Sequence, residues 1–552
     1  MAATATVADA TAVATSRPRT TWQRLAVRSR QEAAMARYDC VVIGGGHNGL
    51  VAAAYLAQAG KRVLVLERRH VLGGCASTEE LWPGFRASPA AYVISLFLPT
   101  IIRELDLPRH GLEILRRDPS SFTPLEDGRF LLLGHDQAAN ARHIARFSAR
   151  DAENYPRYEA FLGRIASAVG PLLESPAPRV PFAWGEVGRW WQYGRAVRRL
   201  GGDLRGFLEL LTAPATRILD RFFESEPLRA TLATDAIIGA MAAPSTPGTG
   251  YVLLHHVMGQ AGGKRGVWGY VRGGMGGLAT ALEKACLARG VEIRREAPVA
   301  RIRVRHGRAA GVLLADGSEI DATTVASSLD AHATFLKLLG PEHLPAELAE
   351  MVRHIDYTSA SAKVNLALEG LPNFNTGDLD PAIALRGTIH LVPDLAFIER
   401  AFDDAKWGRP SRQPVLEITI PSVVDHTLAP PGKHVASIFV QYAPYRLAEG
   451  SWDELREAFG DRCIELVARY APNVKNLIVG RQVLTPVDLE RIYGLTGGNI
   501  MQGAMGLDQL GPMRLDYRTP IPGLYLCGAA THPGGGVIGA CGRNAARAIL
   551  RG

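Results

Sequence analysis

Residues 38–67 read YDCVVIGGGHNGLVAAAYLAQAGKRVLVLE. A short apolar run leads into a G-x-G-x-x-G pattern at Gly44, Gly46 and Gly49, and residues 50–58 are then rich in alanine and leucine. A second apolar run follows and ends at Glu67. This order predicts strand, tight turn, helix, strand and terminal acid, which is the βαβ unit that binds a dinucleotide.

Each defining position of this pattern has a separate physical role. Gly44 permits the tight turn, Gly46 lets the backbone approach a pyrophosphate, and Gly49 lets the helix pack closely on the strand. The start of the helix presents free N–H groups and the positive end of its dipole to the phosphates. Glu67 is placed to accept a hydrogen bond from a ribose hydroxyl.

The glycine pattern alone is weak evidence, because it also occurs in the matches that begin at Gly274 and Gly534. Residues 269–272, before the middle match, read as too short and polar for a buried strand. No second strand and acid follow the last match in the sequence. The sequence therefore predicts one dinucleotide unit, at the first match.

The surroundings of this unit favour FAD over NAD(P). Glu67 would repel the 2′-phosphate of NADP, and Gly73 and Gly74 supply further small, approachable backbone. Residues 523–539 (GLYLCGAATHPGGGVIG) predict another buried strand that leads into glycines. Two glycine-rich elements so far apart in sequence would meet at one site if the sheet is built from distant segments, which suits a long cofactor such as FAD.

The composition excludes several classes of protein. The chain has 552 residues, 47% of them hydrophobic, and a formal net charge of +8. Six arginines against Asp9 and Glu32 place a net +4 of that charge in residues 1–37, so no nucleic-acid partner is expected. The six cysteines form no C-x-x-C pair, which excludes a dithiol mechanism. Long uncharged stretches are broken by glycine or proline, so no transmembrane helix is expected.

The first 37 residues are rich in Ala, Thr and Arg and poor in acids. They lack the apolar core of a secretory signal and are compatible with a mitochondrial or plastid transit segment or with a disordered extension. Met35 is a candidate alternative start. The expected location is mitochondrial, in the matrix or at the inner membrane, if the segment is a transit peptide, and cytoplasmic otherwise.

Several stretches together resemble the phytoene-desaturase-like branch of the FAD-dependent amine-oxidase/GDI-type flavoproteins. They are the opening glycine pattern with Glu67 and Gly73-Gly74, the loop 272–276 (RGGMG), and 524–540 (LYLCGAATHPGGGVIGA). Within this branch, residues 421–445 (PSVVDHTLAPPGKHVASIFVQYAPY) and 497–510 (GGNIMQGAMGLDQL) resemble the pyridine nucleotide-disulfide oxidoreductase domain-containing protein two family. The resemblance spans about residues 38–552.

The resemblance implies an α/β fold, in which a Rossmann-like FAD-binding domain carries an inserted α+β substrate domain. The FAD-binding domain would comprise residues 38–110, 265–335 and 512–552, and the substrate domain 111–264 and 336–511. It also implies which residues contact FAD: Gly44, Gly46, Gly49, Glu67, Arg68, Gly73, Gly74, Val299, Gly528, Ala529, Gly536 and Val537.

The implied activity is that of an FAD-dependent oxidoreductase on a small apolar, isoprenoid-like or lipid-like substrate. The electron acceptor is left open, with a quinone and oxygen as the candidates. Desaturation, isomerisation and oxidation at the flavin all remain open, and so does a regulatory or binding protein that has lost turnover. His532, between a predicted strand and three glycines, is the candidate catalytic residue. No metal site is predicted, because His255-His256 lacks ligand partners at a suitable spacing, and the oligomeric state is left open.

Residues 189–205 combine three aromatic side chains with several arginines. A short helix lying in a membrane interface would place the aromatics at headgroup depth and the arginines against anionic lipid. The alternative is a helix of the substrate domain with one solvated basic face. Three aromatics contribute little buried area, which favours the second interpretation.

Overall fold

The two apolar runs of the opening motif form adjacent parallel strands. Tyr38–Ile43 pairs in parallel with Val63–Leu66, and the stretch between them contains the helix His47–Gln58. All four residues of the second strand are buried, as expected in a parallel sheet that is covered on both faces. The predicted βαβ unit is confirmed, with the helix beginning at His47, ahead of its predicted start at Leu50.

The computed structural model describes residues 38–179, 184–261 and 264–552. The candidate transit segment and Met35 lie outside these described residues. The strands of the described chain are β1 (Tyr38–Ile43), β2 (Val63–Leu66), β3 (Glu79–Trp82), β4 (Phe85–Ala87), β5 (Ile114–Arg116), β6 (Ser121–Pro124), β7 (Phe130–Leu133), β8 (Gln260–Ala261), β9 (Lys264–Arg265), β10 (Gly269–Val271), β11 (Glu292–Arg294), β12 (Val299–Arg305), β13 (Arg308–Leu314), β14 (Glu319–Ser327), β15 (Ser361–Leu368), β16 (Thr388–Leu391), β17 (Val415–Thr419), β18 (His434–Gln441), β19 (Ile478–Leu484) and β20 (Leu524–Leu526).

The α-helices of the described residues surround these strands. They are α1 (His47–Gln58), α2 (Pro99–Glu104), α3 (Gln137–Ala145), α4 (Ala149–Leu173), α5 (Val187–Leu200), α6 (Leu204–Thr212), α7 (Ala215–Phe222), α8 (Glu226–Thr234), α9 (Thr249–Val257), α10 (Gly276–Leu287), α11 (Ala346–Arg353), α12 (Pro381–Ala384), α13 (Leu395–Lys406), α14 (Trp452–Tyr470), α15 (Val474–Leu477), α16 (Pro486–Tyr493) and α17 (Ala540–Leu550).

The first of two large sheets has the strand order β11-β2-β1-β14-β13-β12, with β20 also paired to β14. Strands β11, β2, β1, β14 and β20 run parallel, whereas β12, β13 and β14 form an antiparallel meander. The turn between β13 and β14 contains Asp316 and Gly317, and Leu313 pairs with Glu319 across it. The alanine-rich helix α1 packs so closely on α17 that a Cβ added at Gly542 would lie 2.1 Å from the carbonyl oxygen of Asn48.

The second large sheet has the order β19-β15-β18-β17-β16-β6-β7 and is antiparallel except for the β16–β6 pair. One face is aliphatic, with Val364, Ile438 and Ile418 buried in a large core that also includes residues of the helices α4 to α9. The other face carries polar side chains that are also buried, among them Lys363 and Glu417.

The strands of each sheet come from distant parts of the chain. Those of the first sheet lie within residues 38–66, 292–327 and 524–526, inside the three segments predicted for the FAD-binding domain. Those of the second sheet lie inside the two predicted inserts. Residues 38–552 together form one compact unit, and the domain boundaries stay a prediction.

One expectation about the middle glycine match was wrong. Gly269–Val271 is a buried strand, although residues 269–272 read as too polar for one. It pairs antiparallel with β5, outside the parallel sheet, so this match still opens no second dinucleotide unit. Among the helices of the described residues, none combines the length and the hydropathy needed to span a bilayer.

Candidate active site

A cavity of about 450 Å³ lies where the central parallel strands end. Its lining includes Gly44 after β1, Glu67 after β2 and Ser328 after β14. Ligands of open α/β sheets bind at the carboxyl ends of the strands. The cavity therefore occupies the position that the fold provides for a cofactor.

Ten of the twelve predicted cofactor-binding residues line this one cavity. Gly49 and Gly528 are not among the lining residues, and their role is in packing the elements that surround it. The ten that line it are Gly44, Gly46, Glu67, Arg68, Gly73, Gly74, Val299, Ala529, Gly536 and Val537.

The three glycines of the first motif differ in what surrounds them. Gly44 has a φ of +92°, and a Cβ there would lie 2.5 Å from Ser328 Oγ. A Cβ at Gly49 would lie 2.2 Å from the Gly44 carbonyl oxygen, so helix and turn touch at that point. A Cβ at Gly46 would meet only the Gly73 carbonyl oxygen, at 4.0 Å. Gly46 therefore presents bare backbone to open space, as a pyrophosphate cradle requires.

The loop after β2 closes against this turn. The Gly73 N–H donates to the carbonyl of Gly45 at 2.8 Å, and Gly46 and Gly73 form an isolated parallel bridge. Gly73 has a φ of +105°, and a Cβ there would lie 2.6 Å from the carbonyl oxygen of Ala76. The two glycine loops thus form one rigid edge of the cavity.

The Glu67 carboxylate is buried at the end of β2. Oε2 accepts from the Gly45 N–H and Oε1 from the Arg69 N–H, both at 2.8 Å. Each oxygen keeps a free lone pair, so Glu67 can also accept from a ribose hydroxyl. Its backbone hydrogen bonds fix the carboxylate in place before any ligand binds.

The predicted companion Arg68 also lines the cavity, but its guanidinium has partners within the protein. Nη2 donates to the carbonyl oxygens of Arg491 at 3.2 Å and Ile492 at 2.7 Å, at the end of α16. Arg68 thereby holds α16 against the cavity, since Ile492 and Tyr493 are lining residues.

The second glycine element is held by a buried arginine that the sequence analysis does not identify. Arg514 donates to the Ala529 carbonyl oxygen at 2.7 Å from Nη2 and 3.0 Å from Nε. Nη2 also donates to the carbonyl oxygen of Met501 at 2.9 Å. Among the described residues, Arg514 forms no ion pair. Its hydrogen bonds place two cavity-lining residues, Met501 and Ala529, next to each other.

The candidate catalytic residue His532 is buried but is not among the lining residues. Its Nε2 lies 3.0 Å from the carbonyl oxygen of Leu172, at the end of α4. Tyr517 donates a hydrogen bond from its hydroxyl to the His532 carbonyl. Burial lowers the pKa of His532 to about 4. These contacts are those of a residue that ties the glycine loop to α4.

Three further lining residues were missed by the sequence analysis. Ser328 donates to the carbonyl oxygens of Ile43 at 2.9 Å and Gly44 at 3.1 Å, and so fixes the first turn. Lys363 is buried, and its ammonium nitrogen lies 3.7 Å from the centre of the Tyr92 ring. Neither Ser328 nor Lys363 belongs to a recognised motif, and only strand register brings Lys363 to the cavity.

His255 is the third of these residues. It is 1% exposed and lines the cavity, and its ring lies beside the backbone of Gly535, although neither ring nitrogen makes a hydrogen bond of normal geometry among the described residues. Burial lowers the pKa of His255 to about 3, so the ring is neutral at neutral pH. A Cβ at Gly536 would lie 3.5 Å from its Nε2. Two unpartnered nitrogens beside the second glycine element fit a bound polar ligand, because buried polar groups are otherwise hydrogen-bonded.

One part of the cavity lining is apolar and aromatic. It is formed by Tyr92, Leu96, Ile238, Trp268, Phe439, Ile500 and Met501. Lys363, His255 and His256 are the ionisable side chains beside it. Burial holds the pKa of Lys363 well below its ordinary value, although Glu417 raises it.

The fold and the site together define the class of FAD-dependent oxidoreductases with the amine-oxidase/GDI-like flavoprotein fold. The open Gly46 backbone, the fixed Glu67 carboxylate and the unpartnered His255 fit FAD at this site. The chain belongs to the family of flavin containing amine oxidoreductases, which matches residues 49–550. FAD is its cofactor, as the sequence predicts.

Individual relatives support this assignment. Pyridine nucleotide-disulfide oxidoreductase domain-containing protein 2 of Mus musculus is 47% identical over 567 residues, covering 97% of each chain. One of the subunits of limonene dehydrogenase from Castellaniella defragrans is 30% identical, covering 93% of this chain and 94% of its own. Phytoene desaturase (lycopene-forming) of Pseudescherichia vulneris is more distant, at 28% identity over 92% and 98% of the two chains.

A solved structure supports the fold independently. A triple mutant of putrescine oxidase superimposes with a TM-score of 0.60 at 18% identity, covering 93% of this chain and 99% of that chain. Both the predicted fold class and the predicted resemblance are therefore confirmed. All six cysteines lie within the described residues and are free.

Proposed function

We propose that this oxidoreductase desaturates, isomerises or oxidises an apolar, isoprenoid-like or lipid-like substrate at its flavin. The observation that carries the proposal is the apolar part of the cavity lining, which includes Ile238, Trp268 and Phe439. Apolar surface lined by a few placed polar groups binds apolar ligands by excluding water. FAD supplies the acceptor for the hydride or electrons.

A second cavity supports entry of an extended apolar molecule. It has a volume of about 380 Å³ and shares Ile238 and Met501 with the first cavity. Its lining includes Leu507, which is 49% exposed. A substrate that enters beside Leu507 would pass Ile238 and Met501 to reach the flavin.

Two relatives agree with this substrate class. Limonene dehydrogenase and phytoene desaturase are named for hydrocarbons. A hydrocarbon carries no charge, so a protein must recognise it by the shape of the cavity and by excluding water. The apolar part of the lining, with Ile238, Trp268 and Phe439, suits that type of recognition.

The test is anaerobic mixing of the purified flavoprotein with a panel of terpenes, polyenes, acyl lipids and aliphatic amines. We expect apolar members of the panel to bleach the oxidised flavin, and a quinone or oxygen to restore its colour. Bleaching by amines alone would overturn the proposed substrate class. A protein that binds FAD, is bleached by no compound and isomerises none of them would favour the regulatory or binding alternative.

A further inference from the structure

One row of side chains crosses the polar face of the second sheet and starts in the cavity. Lys363 lies opposite Phe439, Phe439 opposite Glu417, and Glu417 opposite His390. Directly opposed residues of antiparallel strands share a face. Lys363 and Phe439 line the cavity, whereas Glu417 and His390 lie behind it.

The three ionisable members of this row are all buried. Lys363 is 2% exposed, Glu417 4% and His390 6%. Glu417 Oε1 lies 3.2 Å from His390 Nδ1, and Thr234 Oγ1 lies 3.2 Å from the same nitrogen. Removing a carboxylate and an imidazole from water is costly unless they are paired. Their pairing behind a ligand cavity therefore needs a reason other than packing.

The Lys363 ammonium has no carboxylate within ion-pair distance among the described residues. Nζ donates to Ser437 Oγ at 2.6 Å, and that hydroxyl donates to Asn365 Oδ1 at 3.0 Å. Glu417 is the charged group that raises the pKa of Lys363 against the dominant effect of burial. A proton arriving on Lys363 would thus be stabilised mainly by Glu417.

Further titratable groups face Glu417 from the neighbouring elements, and they leave it ionised. Burial would raise the pKa of Glu417, but the hydrogen bond and charge of His390, with a smaller contribution from His256, hold it below its ordinary value. Burial raises the pKa of Asp235. The other groups around the row are Arg117, which donates to Thr388 Oγ1 at 2.6 Å, and the phenols of Tyr92 and Tyr270.

We propose that Lys363 accepts the proton that leaves the substrate. His390 positions the carboxylate of Glu417, and the negative charge of Glu417 balances the ammonium that forms on Lys363. In a desaturation, one C–H bond breaks with its electron pair and the hydride passes to the flavin. A second C–H bond breaks as a proton, which forms an N–H bond on Lys363 Nζ, and its electron pair becomes the new C=C bond. The role of Lys363 as proton acceptor rests on the proposed function, whereas the effect of Glu417 on Lys363 does not.

The first measurement is the protonation of Lys363 itself, followed by NMR of ¹³C-lysine-labelled flavoprotein and assigned with Lys363→Met. Glu417→Gln keeps the side-chain shape and removes the charge, so the pKa of Lys363 should fall by about one unit, as for two charges separated by two strand spacings. His390→Asn should lower it in the same direction, because Glu417 then loses the partner that keeps it ionised. Thr419→Val, on the same strand and face, should leave it unchanged.

The second measurement is the pH profile of anaerobic flavin reduction, normalised to bound FAD. The rate should rise as Lys363 loses its proton, and this rising limb should move to lower pH in Glu417→Gln and His390→Asn, as the NMR titration does. Lys363→Met should slow reduction about 10²–10⁴-fold, as for loss of a general base. Thr419→Val should keep both the rate and the limb of the wild type.

The outcomes separate the two claims. An unchanged Lys363 titration in both Glu417→Gln and His390→Asn overturns the positioning role, whatever the flavin does. A wild-type reduction rate in Lys363→Met overturns its role as proton acceptor. If no apolar compound reduces the flavin, the proposed function fails while the NMR titration still decides the pairing. If Glu417→Gln does not fold, His390→Asn carries the test.

Discussion

His532 shows how the contacts of a single residue alter the expectation from its motif. It lies between a strand and three glycines, yet its ring nitrogen lies 3.0 Å from the Leu172 carbonyl oxygen and it does not line the cavity. We expect His532→Ala to lower the free energy of unfolding by about 1 kcal/mol, as for a lost neutral hydrogen bond. The rate of flavin reduction per bound FAD should be unchanged. A rate lowered tenfold or more at full FAD content would restore the catalytic role.

The burial of His532 should also make the free energy of unfolding depend on pH. Burial lowers its pKa from 6.5 to about 4, so the unfolded chain binds the proton first as the pH falls. The contribution of neutral His532 to stability is present above pH 6.5 and is lost between pH 6.5 and about 4, by about 1.4 kcal/mol per pH unit. Chemical unfolding of wild type and His532→Ala across this range should show the smaller slope in the variant. Equal slopes of unfolding free energy against pH in the two proteins would contradict a lowered pKa of His532.

At the scale of elements, Arg514 joins two segments that line the cavity. Its guanidinium donates to the carbonyls of Met501 and Ala529, and charge-assisted hydrogen bonds of this kind contribute about 1.5–3 kcal/mol each. We expect Arg514→Lys to lower the melting temperature and the FAD content, because a lysine cannot reproduce the planar fork. Arg518→Lys is the matched control, since Arg518 also donates to carbonyls, those of Ala548 and Gly552. Equal losses in both variants would show that Arg514 has no special link to the cofactor.

The elements also show how far the sequence predicts the structure. The βαβ unit and the Asp316-Gly317 hairpin follow from local patterns of apolar residues and glycine. Lys363 does not, because its strand reads as an ordinary buried one, and only the pairing of β15 with β18 and of β18 with β17 places Lys363 and Glu417 on one face of the sheet, with Phe439 between them. Sheet register between distant segments is a tertiary property, and no single-sequence periodicity records it.

At the scale of the whole molecule, the basic segment 189–205 lies on the helices α5 and α6. Trp191 is 60% exposed, and the guanidinium of Arg195 lies 4.6 Å from its ring centre. Trp190 and Tyr193 are half-buried, so little aromatic area is free to enter a membrane. We expect binding to vesicles rich in phosphatidylglycerol at low salt, and its loss at high salt.

Cosedimentation with vesicles tests this expectation, with neutral phosphatidylcholine vesicles as the control. Replacing Arg195, Arg198 and Arg199 by glutamate should abolish binding to the anionic vesicles. Binding that survives high salt would indicate insertion of apolar side chains instead. Equal binding to neutral vesicles, or none to anionic ones, would contradict an electrostatic contact.

The cavity at the carboxyl ends of the parallel strands is assigned to FAD, and the FAD content of one matched pair of variants is the sharpest test of this assignment. A Cβ at Gly46 would enter the open space of the cradle, whereas a Cβ at Gly163, in α4, meets no atom within 4 Å. After purification and equilibration with excess FAD, wild type and Gly163→Val should each retain one FAD per chain. Gly46→Val should fold with the same circular dichroism and retain almost none. Full FAD absorbance in folded Gly46→Val would contradict the account.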